Sequence, residues 1–231
     1  MKVLLFDVDG TLIRAGGAGR KALNRAGEAL YGVKDCCSEL SLAGRTDLYN
    51  FGAAHRFATG EKPTVAAMQR LHREYLKQLP GCVRSALRAG SYRVPAGLRI
   101  LLKRLSRDKR VLLGLGTGNM ETGARIKLAP SGFSSYFRFG GYGSDSFHRH
   151  VLLRKAVSRA RKLARERFSP EDVYVIGDTP LDVAAGKKAG FRTVGVGTGF
   201  AGWDDLAASR PDHLARDFRG LRKWLSWFEL N

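Results

Sequence analysis

Lys2-Val3-Leu4-Leu5-Phe6-Asp7-Val8-Asp9-Gly10-Thr11 decides how the rest of this chain is read. After Lys2, four apolar residues, Val3 to Phe6, run without interruption into two aspartates, a glycine and a threonine. A continuous apolar run that short, stopped by a turn signal, predicts a strand buried on both faces. Strands of that kind belong to parallel sheets covered by helices. Carboxylates at the end of such a strand are costly to hold there unless a cation meets them.

Two later segments repeat the arrangement. Val111 to Leu115 reads as a strand that ends in Gly116-Thr117-Gly118-Asn119, and Val173 to Ile176 as one that ends in Gly177-Asp178-Thr179-Pro180-Leu181-Asp182. Helical spacing separates them: Leu98, Leu101, Leu102 and Leu105 give one face, Val151 to Phe168 a strongly basic helix, and Pro180 to Ala189 another. Phe137 to Gly140 and Thr193 to Val196 read as further short strands. This alternation predicts an α/β fold, a Rossmann-like doubly wound, mostly parallel sheet. In such sheets ligands bind beyond the carboxyl ends of the strands, where these polar residues lie. Asp7, Asp9 and Asp178 converging there would make a site of hard oxygen donors suited to Mg²⁺.

Between the first and second of these strands the pattern changes. Ala22, Leu23, Ala26, Ala29 and Leu30 recur at helical spacing, as do Val65, Met68, Leu71, Tyr75 and Leu79, and no strand is expected in the stretch. Residues 15–93 therefore read as an inserted helical domain, and 1–14 with 94–231 as the core. Gly16, Gly17 and Gly19 at its entry suit hinge positions.

Composition narrows the function classes. The 231 residues are 44% hydrophobic, enough for a packed interior, and no apolar run approaches the ~20 residues of a membrane span. The N-terminal apolar stretch is too short for a signal peptide, so a cytoplasmic protein without membrane association is expected. Cys36, Cys37 and Cys82 have neither metal-ligand spacing nor the even count of a disulfide framework. Forty Lys and Arg against 21 Asp and Glu give a net charge of +19, a field that attracts anions. The basic residues are scattered, with no block and no nucleic-acid-reading motif, so no specific nucleic-acid partner is expected. Trp203, Trp224 and Trp227 read as packing near the C-terminus, and His148 and His150 as part of a solvated basic loop.

Asp7-Val8-Asp9-Gly10-Thr11, Thr117, and Gly177-Asp178-Thr179-Pro180-Leu181-Asp182, in this order, resemble the motifs of the haloacid dehalogenase superfamily. The likeness extends over nearly the whole chain. Gly177 to Gly190 and Arg210-Pro211-Asp212-His213 resemble its phosphoglycolate phosphatase-like branch. The resemblance implies a Mg²⁺-dependent phosphatase acting on a small phosphorylated substrate, as a monomer or homodimer. It implies Asp7 as nucleophile and Asp9 as general acid and base. It also implies Mg²⁺ held by Asp7, the Asp9 carbonyl and Asp178, with Asp182 supporting the metal shell. Thr117, with the amides of Gly118 and Asn119, would bind the phosphoryl group. The family's phosphate-balancing cation fits Arg149 best, with Arg154 and Lys155 as alternatives. The insert resembles a C1 cap, in which Ala43-Gly44-Arg45-Thr46-Asp47 would face the substrate and Arg45 would meet an anionic group. A dehalogenase would lack Asp9. A phosphomutase of the β-phosphoglucomutase type would keep every motif, and a non-enzymatic nucleic-acid-binding protein on this fold would draw on the +19 charge.

Overall fold

Alternation along the first strand sets the layers of the molecule. In the computed structural model, which describes residues 1–231, β1 (Lys2–Phe6) sends Leu4 and Phe6 into one apolar cluster and Val3 and Leu5 into another, on opposite faces of the sheet. All four side chains are fully buried. The remaining elements follow as β2 (Arg14–Ala15), α1 (Ala18–Tyr31), α2 (Asp47–Thr59), α3 (Val65–Arg88), β3 (Tyr92–Arg93), α4 (Leu98–Leu105), β4 (Val111–Gly116) and α5 (Glu121–Leu128). Then come β5 (Phe139–Gly141), α6 (Arg149–Ala164), β6 (Val173–Gly177), α7 (Pro180–Ala189), β7 (Arg192–Val196), α8 (Trp203–Ala208), β8 (His213–Ala215) and α9 (Leu221–Trp227).

Six strands form one sheet in the order β5-β4-β1-β6-β7-β8, and every pairing in it is parallel. β1 lies between β4 and β6, with Phe6 opposite both Leu115 and Ile176. That register brings the residues after the three strands to one edge: Asp7, Thr117 and Asp178. Strand order reverses around β1, which makes this edge a topological switch point.

Helices α1, α2 and α3 pack together above that edge. Leu23 and Ala26 of α1 and Leu71, Tyr75 and Leu79 of α3 are buried in the cluster that also contains Phe6. Thr46 and Thr64 begin α2 and α3 as N-caps, each hydroxyl accepting a backbone N–H three residues on. At the two crossings between these helices and the sheet, Arg14 pairs with Arg93 and Ala15 with Tyr92. This antiparallel pair departs from the expectation of no strand before the sheet resumes. Two residues are too few to show an alternating pattern.

Other boundaries shift by small amounts. The basic helix runs Arg149–Ala164 and stops where Arg165 turns to φ 57°, short of Phe168. The strand expected over Phe137 to Gly140 is Phe139–Gly141, because Phe137 closes a 3₁₀ turn. Trp224 is fully buried and stacks on Phe218 at 4.9 Å between centroids. No helix is long and apolar enough to cross a membrane, and the three cysteines are free and buried.

Candidate active site

The loop after β1 is shaped by its glycine. Gly10 has φ +86°, and a Cβ there would overlap the carboxylate of Asp178. The turn therefore needs a residue without a side chain. Thr11 then donates its hydroxyl to Asp178 Oδ1 at 3.0 Å, and Phe200 N–H donates to Asp178 Oδ2 at 3.0 Å. Thr198 closes the loop by donating to the Gly10 carbonyl at 2.7 Å. The β6 side is fixed by a capping box: Thr179 N–H and Oγ1–H both donate to Asp182 Oδ2, at 3.1 and 2.6 Å.

These constraints gather Asp7, Asp178 and Asp182 so that one carboxylate oxygen from each lies within 4.8 Å of the others. All three are buried. The Arg149 guanidinium, from the first turn of α6, contacts Asp182 Oδ1 and lies 3.4 Å from Asp7 Oδ1. Burial, with the neighbouring Asp182 charge, pushes the Asp7 carboxyl up to about 7, while Arg149 pulls the other way. Asp178 is raised well above the carboxylate range by burial and by Asp182 and Asp7. Burial works against the Arg149 charge, but Asp182 and Asp7 more than offset it. Of the three carboxylates, one guanidinium thus contacts two, Asp7 and Asp182. The excess negative charge in a buried, all-oxygen donor set fits a hard divalent cation such as Mg²⁺.

Asp9 sits apart from that trio. Asn119 Nδ2 and Lys127 Nζ both donate to its Oδ2, at 3.0 and 2.6 Å. Lys127, on α5, also donates to Asn119 Oδ1 at 2.6 Å and is almost wholly buried. Burial alone would lower the Lys127 pKa, but Asp9, Tyr75 and Asp47 around it turn the net shift upward. Thr117 follows β4, and its Oγ1 accepts from Asn119 N–H at 3.2 Å and Asn119 Nδ2 at 2.8 Å. The Asn119 side chain is therefore a brace between Thr117, Asp9 and Lys127.

A cavity of about 270 Å³ lies over these groups. Its floor is Asp7, Asp9, Gly118, Asn119, Lys127 and Arg149 from the sheet side. Its roof includes Arg20, Leu42, Arg45, Asp47, Asn50 and Tyr75 from the helices above. Arg45 is exposed and lies over the Tyr49 ring at 4.3 Å. Arg20 spends its guanidinium on the carbonyls of Cys37, Ser38 and Leu40, which ties down the loop before α2. The Asn50 side chain is buried, and its Oδ1 has no protein partner.

Of the three cations weighed for the phosphate site, Arg149 reaches the carboxylates. Arg154 instead donates to the Lys188 carbonyl on the outside of the sheet, and Lys155 is exposed. His148 and His150 lie with ring centroids 5.7 Å apart, outside the carboxylate group. Lys127, Asn50 and Tyr75 were not singled out as site residues from the sequence, and Asp47 entered only as the end of the Ala43–Asp47 segment expected to face the substrate. Lys127 left one trace there: it falls between Ala124 and Leu128 at i+3 on the apolar face of a helix, where a lone lysine needs a buried partner.

Known proteins are similar to this chain over part or most of its length. The family model described as HAD-hydrolase-like matches residues 151–221. A Clostridium perfringens protein named for the pyrophosphatase PpaX is 22% identical over 92% of this chain and 91% of its own length. The phosphoglycolate phosphatase of Synechococcus elongatus is 30% identical over 51% of this chain and 52% of that protein. The structure of CbbY from Rhodobacter sphaeroides in complex with phosphate superposes with a TM-score of 0.72 at 21% identity, covering 96% of each chain. Residues 151–221 are thus similar to HAD-hydrolase-like proteins, relatives named as a pyrophosphatase and a phosphoglycolate phosphatase match longer stretches, and the six-stranded parallel sheet shares the fold of these solved structures.

Proposed function

We propose that the chain hydrolyses a small phosphate monoester in two displacements at Asp7, with residues 15–93 acting as a cap. The observation that carries this reading is the meeting of Asp7, Asp178 and Asp182 with Arg149 at the ends of β1 and β6. Asp7 attacks phosphorus through a carboxylate oxygen, and the bond from phosphorus to the ester oxygen breaks. Asp9 gives its proton to that departing oxygen. Water then attacks the aspartyl-phosphate, Asp9 takes a proton from it, and Asp7 is released with inorganic phosphate. Arg149 offsets charge on Asp7 and on the phosphoryl oxygens, and the Thr117 hydroxyl donates to one of them.

Asp7, Asp178 and the Asp9 carbonyl would hold Mg²⁺, and Asp182 would orient its surroundings. Once bound, the ion neutralises charge between the nucleophile and the phosphoryl group. The helices over the site exclude water from it and shape the leaving-group pocket. Size supports a small leaving group, and the unpartnered Asn50 carboxamide favours one that carries a hydroxyl.

Phosphate release is measured on a panel of sugar, glycolate and nucleoside monophosphates with Mg²⁺ and with EDTA, wild type beside Asp7→Asn. Release that needs Mg²⁺ and vanishes in the variant supports the reading. Release by Asp7→Asn at the wild-type rate would sink it, and transfer from hexose bisphosphates without release would point to a mutase.

A further inference from the structure

Both protein donors that reach Asp9 use the same oxygen. Lys127 Nζ and Asn119 Nδ2 converge on Oδ2, and no protein group donates to Oδ1. Lys127 is held in turn from three sides. Asn119 Oδ1 accepts from it at 2.6 Å, and the Asp47 carboxylate and the buried Tyr75 hydroxyl add negative or polar character from the helices above. A buried lysine with so many partners is a rigid support, because moving it would strand a charge away from water.

We infer that Lys127 is the positioning residue for Asp9. It pins Oδ2 so that Oδ1 is the oxygen turned to the ester bond. The inference rests on the phosphatase reading and adds to it a residue outside the strand-end motifs. In the first displacement the proton on Asp9 Oδ1 passes to the ester oxygen as that oxygen takes the electron pair of its bond to phosphorus. In the second, Oδ1 accepts a proton from the attacking water. Without Lys127 the carboxylate rotates about its Cβ–Cγ bond and presents Oδ1 for only part of the time. Asp47 and Tyr75 of the cap side lie close enough to act on the Lys127 charge, so the support is complete only when the helices sit over the sheet.

Leaving groups separate positioning from mere structural support. An alkoxide leaving group needs the proton, whereas 4-nitrophenolate leaves without it. Wild type, Lys127→Met and Lys127→Gln are compared with Mg²⁺ on 4-nitrophenyl phosphate and on the alkyl monoester turned over fastest in the panel. General acid catalysis contributes on the order of 10²-fold or more, so kcat on the alkyl ester is expected to fall by about 10²-fold. Loss on the aryl ester should be several times smaller, and KM should change little on either. Lys127→Arg should recover part of the alkyl rate, since a guanidinium can reach the same oxygen. Lys127→Gln keeps a polar partner for Asn119 and serves if the methionine variant does not fold. Equal losses on both esters, or no loss on either, would overturn the inference while leaving the phosphatase reading intact. A wild type that turns over only the aryl ester would also overturn it, and one that releases phosphate from neither would remove both.

Discussion

The Asp47 backbone N–H donates to the Gly118 carbonyl at 2.7 Å, so the start of α2 is tied to the loop that follows β4. The Asp47 carboxylate adds a second tie by accepting from Met120 N–H at 2.8 Å, just before α5. Burial holds this carboxyl up to about 6 even though Lys127 favours its charge. Asp47→Ala keeps the backbone tie and removes the other. A hydrogen bond to a charged group contributes about 1.5–3 kcal/mol, so kcat/KM should fall roughly tenfold to a hundredfold. Asp47→Asn retains an acceptor and should recover most of it. Amide exchange at Met120, faster in the alanine variant alone, checks that the tie is what was lost.

Arg149 is the one cation in contact with the buried carboxylates at the strand ends. Removing one member of a buried charge group costs about 3–5 kcal/mol, because the partners remain desolvated and unpaired. Arg149→Met should therefore lower the unfolding free energy of the EDTA-treated protein, read from urea titration, by that order, and Mg²⁺ should restore part of it. Arg149→Lys keeps the charge and should lose less stability while still turning over slowly. A methionine variant as stable as wild type without metal would show that the guanidinium does not offset the acids.

What could be read from the chain was what the chain keeps close together. Asp7 and Asp9 stand two residues apart after one strand, and Asp178 and Asp182 four apart across one helix start, so each pair announced itself locally. The unbroken apolar run of β1 was visible because burial on both faces removes polar positions. Lys127 reaches Asp9 across 118 residues, and Asp47 reaches Met120 across 73. Neither contact leaves a spacing that a single sequence displays. Arg149 was preferred over Arg154 and Lys155 by its place before the helix, and the direction each takes from α6 separates them: Arg149 meets the carboxylates and Arg154 the Lys188 carbonyl. The β2–β3 pair and β8 are too short for any periodicity to appear.

Protonation of the buried acids gives the metal-free protein a pH dependence with a definite sign. The Asp7 carboxyl titrates near 7 in the folded state and near 3.8 when exposed. Between those values the folded chain binds the proton that the unfolded chain has lost. Stability from this group is present at low pH and falls as pH rises toward and through 7. Asp178 is shifted in the same direction. Tm of EDTA-treated protein should drop from pH 5 to pH 8, and Mg²⁺ should raise Tm more at pH 8, where its ligands are already ionised. Asp7→Asn should flatten the metal-free slope. A metal-free Tm that climbs across this range would contradict the placement of these acids away from water.

Gly10, in the loop after β1, leaves no room for a side chain beside Asp178. Its φ of +86° is one that side-chain-bearing residues rarely adopt, and the Asp178 carboxylate occupies the space a Cβ would need. Asp178 cannot simply swing aside, because Thr11 and Phe200 hold one of its oxygens each. Gly10→Ala must therefore either distort the turn that carries Asp9 or push Asp178 out of the carboxylate group. The left-handed backbone alone costs about 1–2 kcal/mol, and the overlap adds to it. Turnover should fall by more than that loss of stability explains, and Mg²⁺ should no longer raise Tm at pH 8. Gly17, which also has positive φ but has nothing within 4 Å of an added Cβ, supplies the control. Gly17→Ala should carry the backbone cost while keeping the response to Mg²⁺, so a loss of that response in both variants would assign the effect to strain instead of to Asp178.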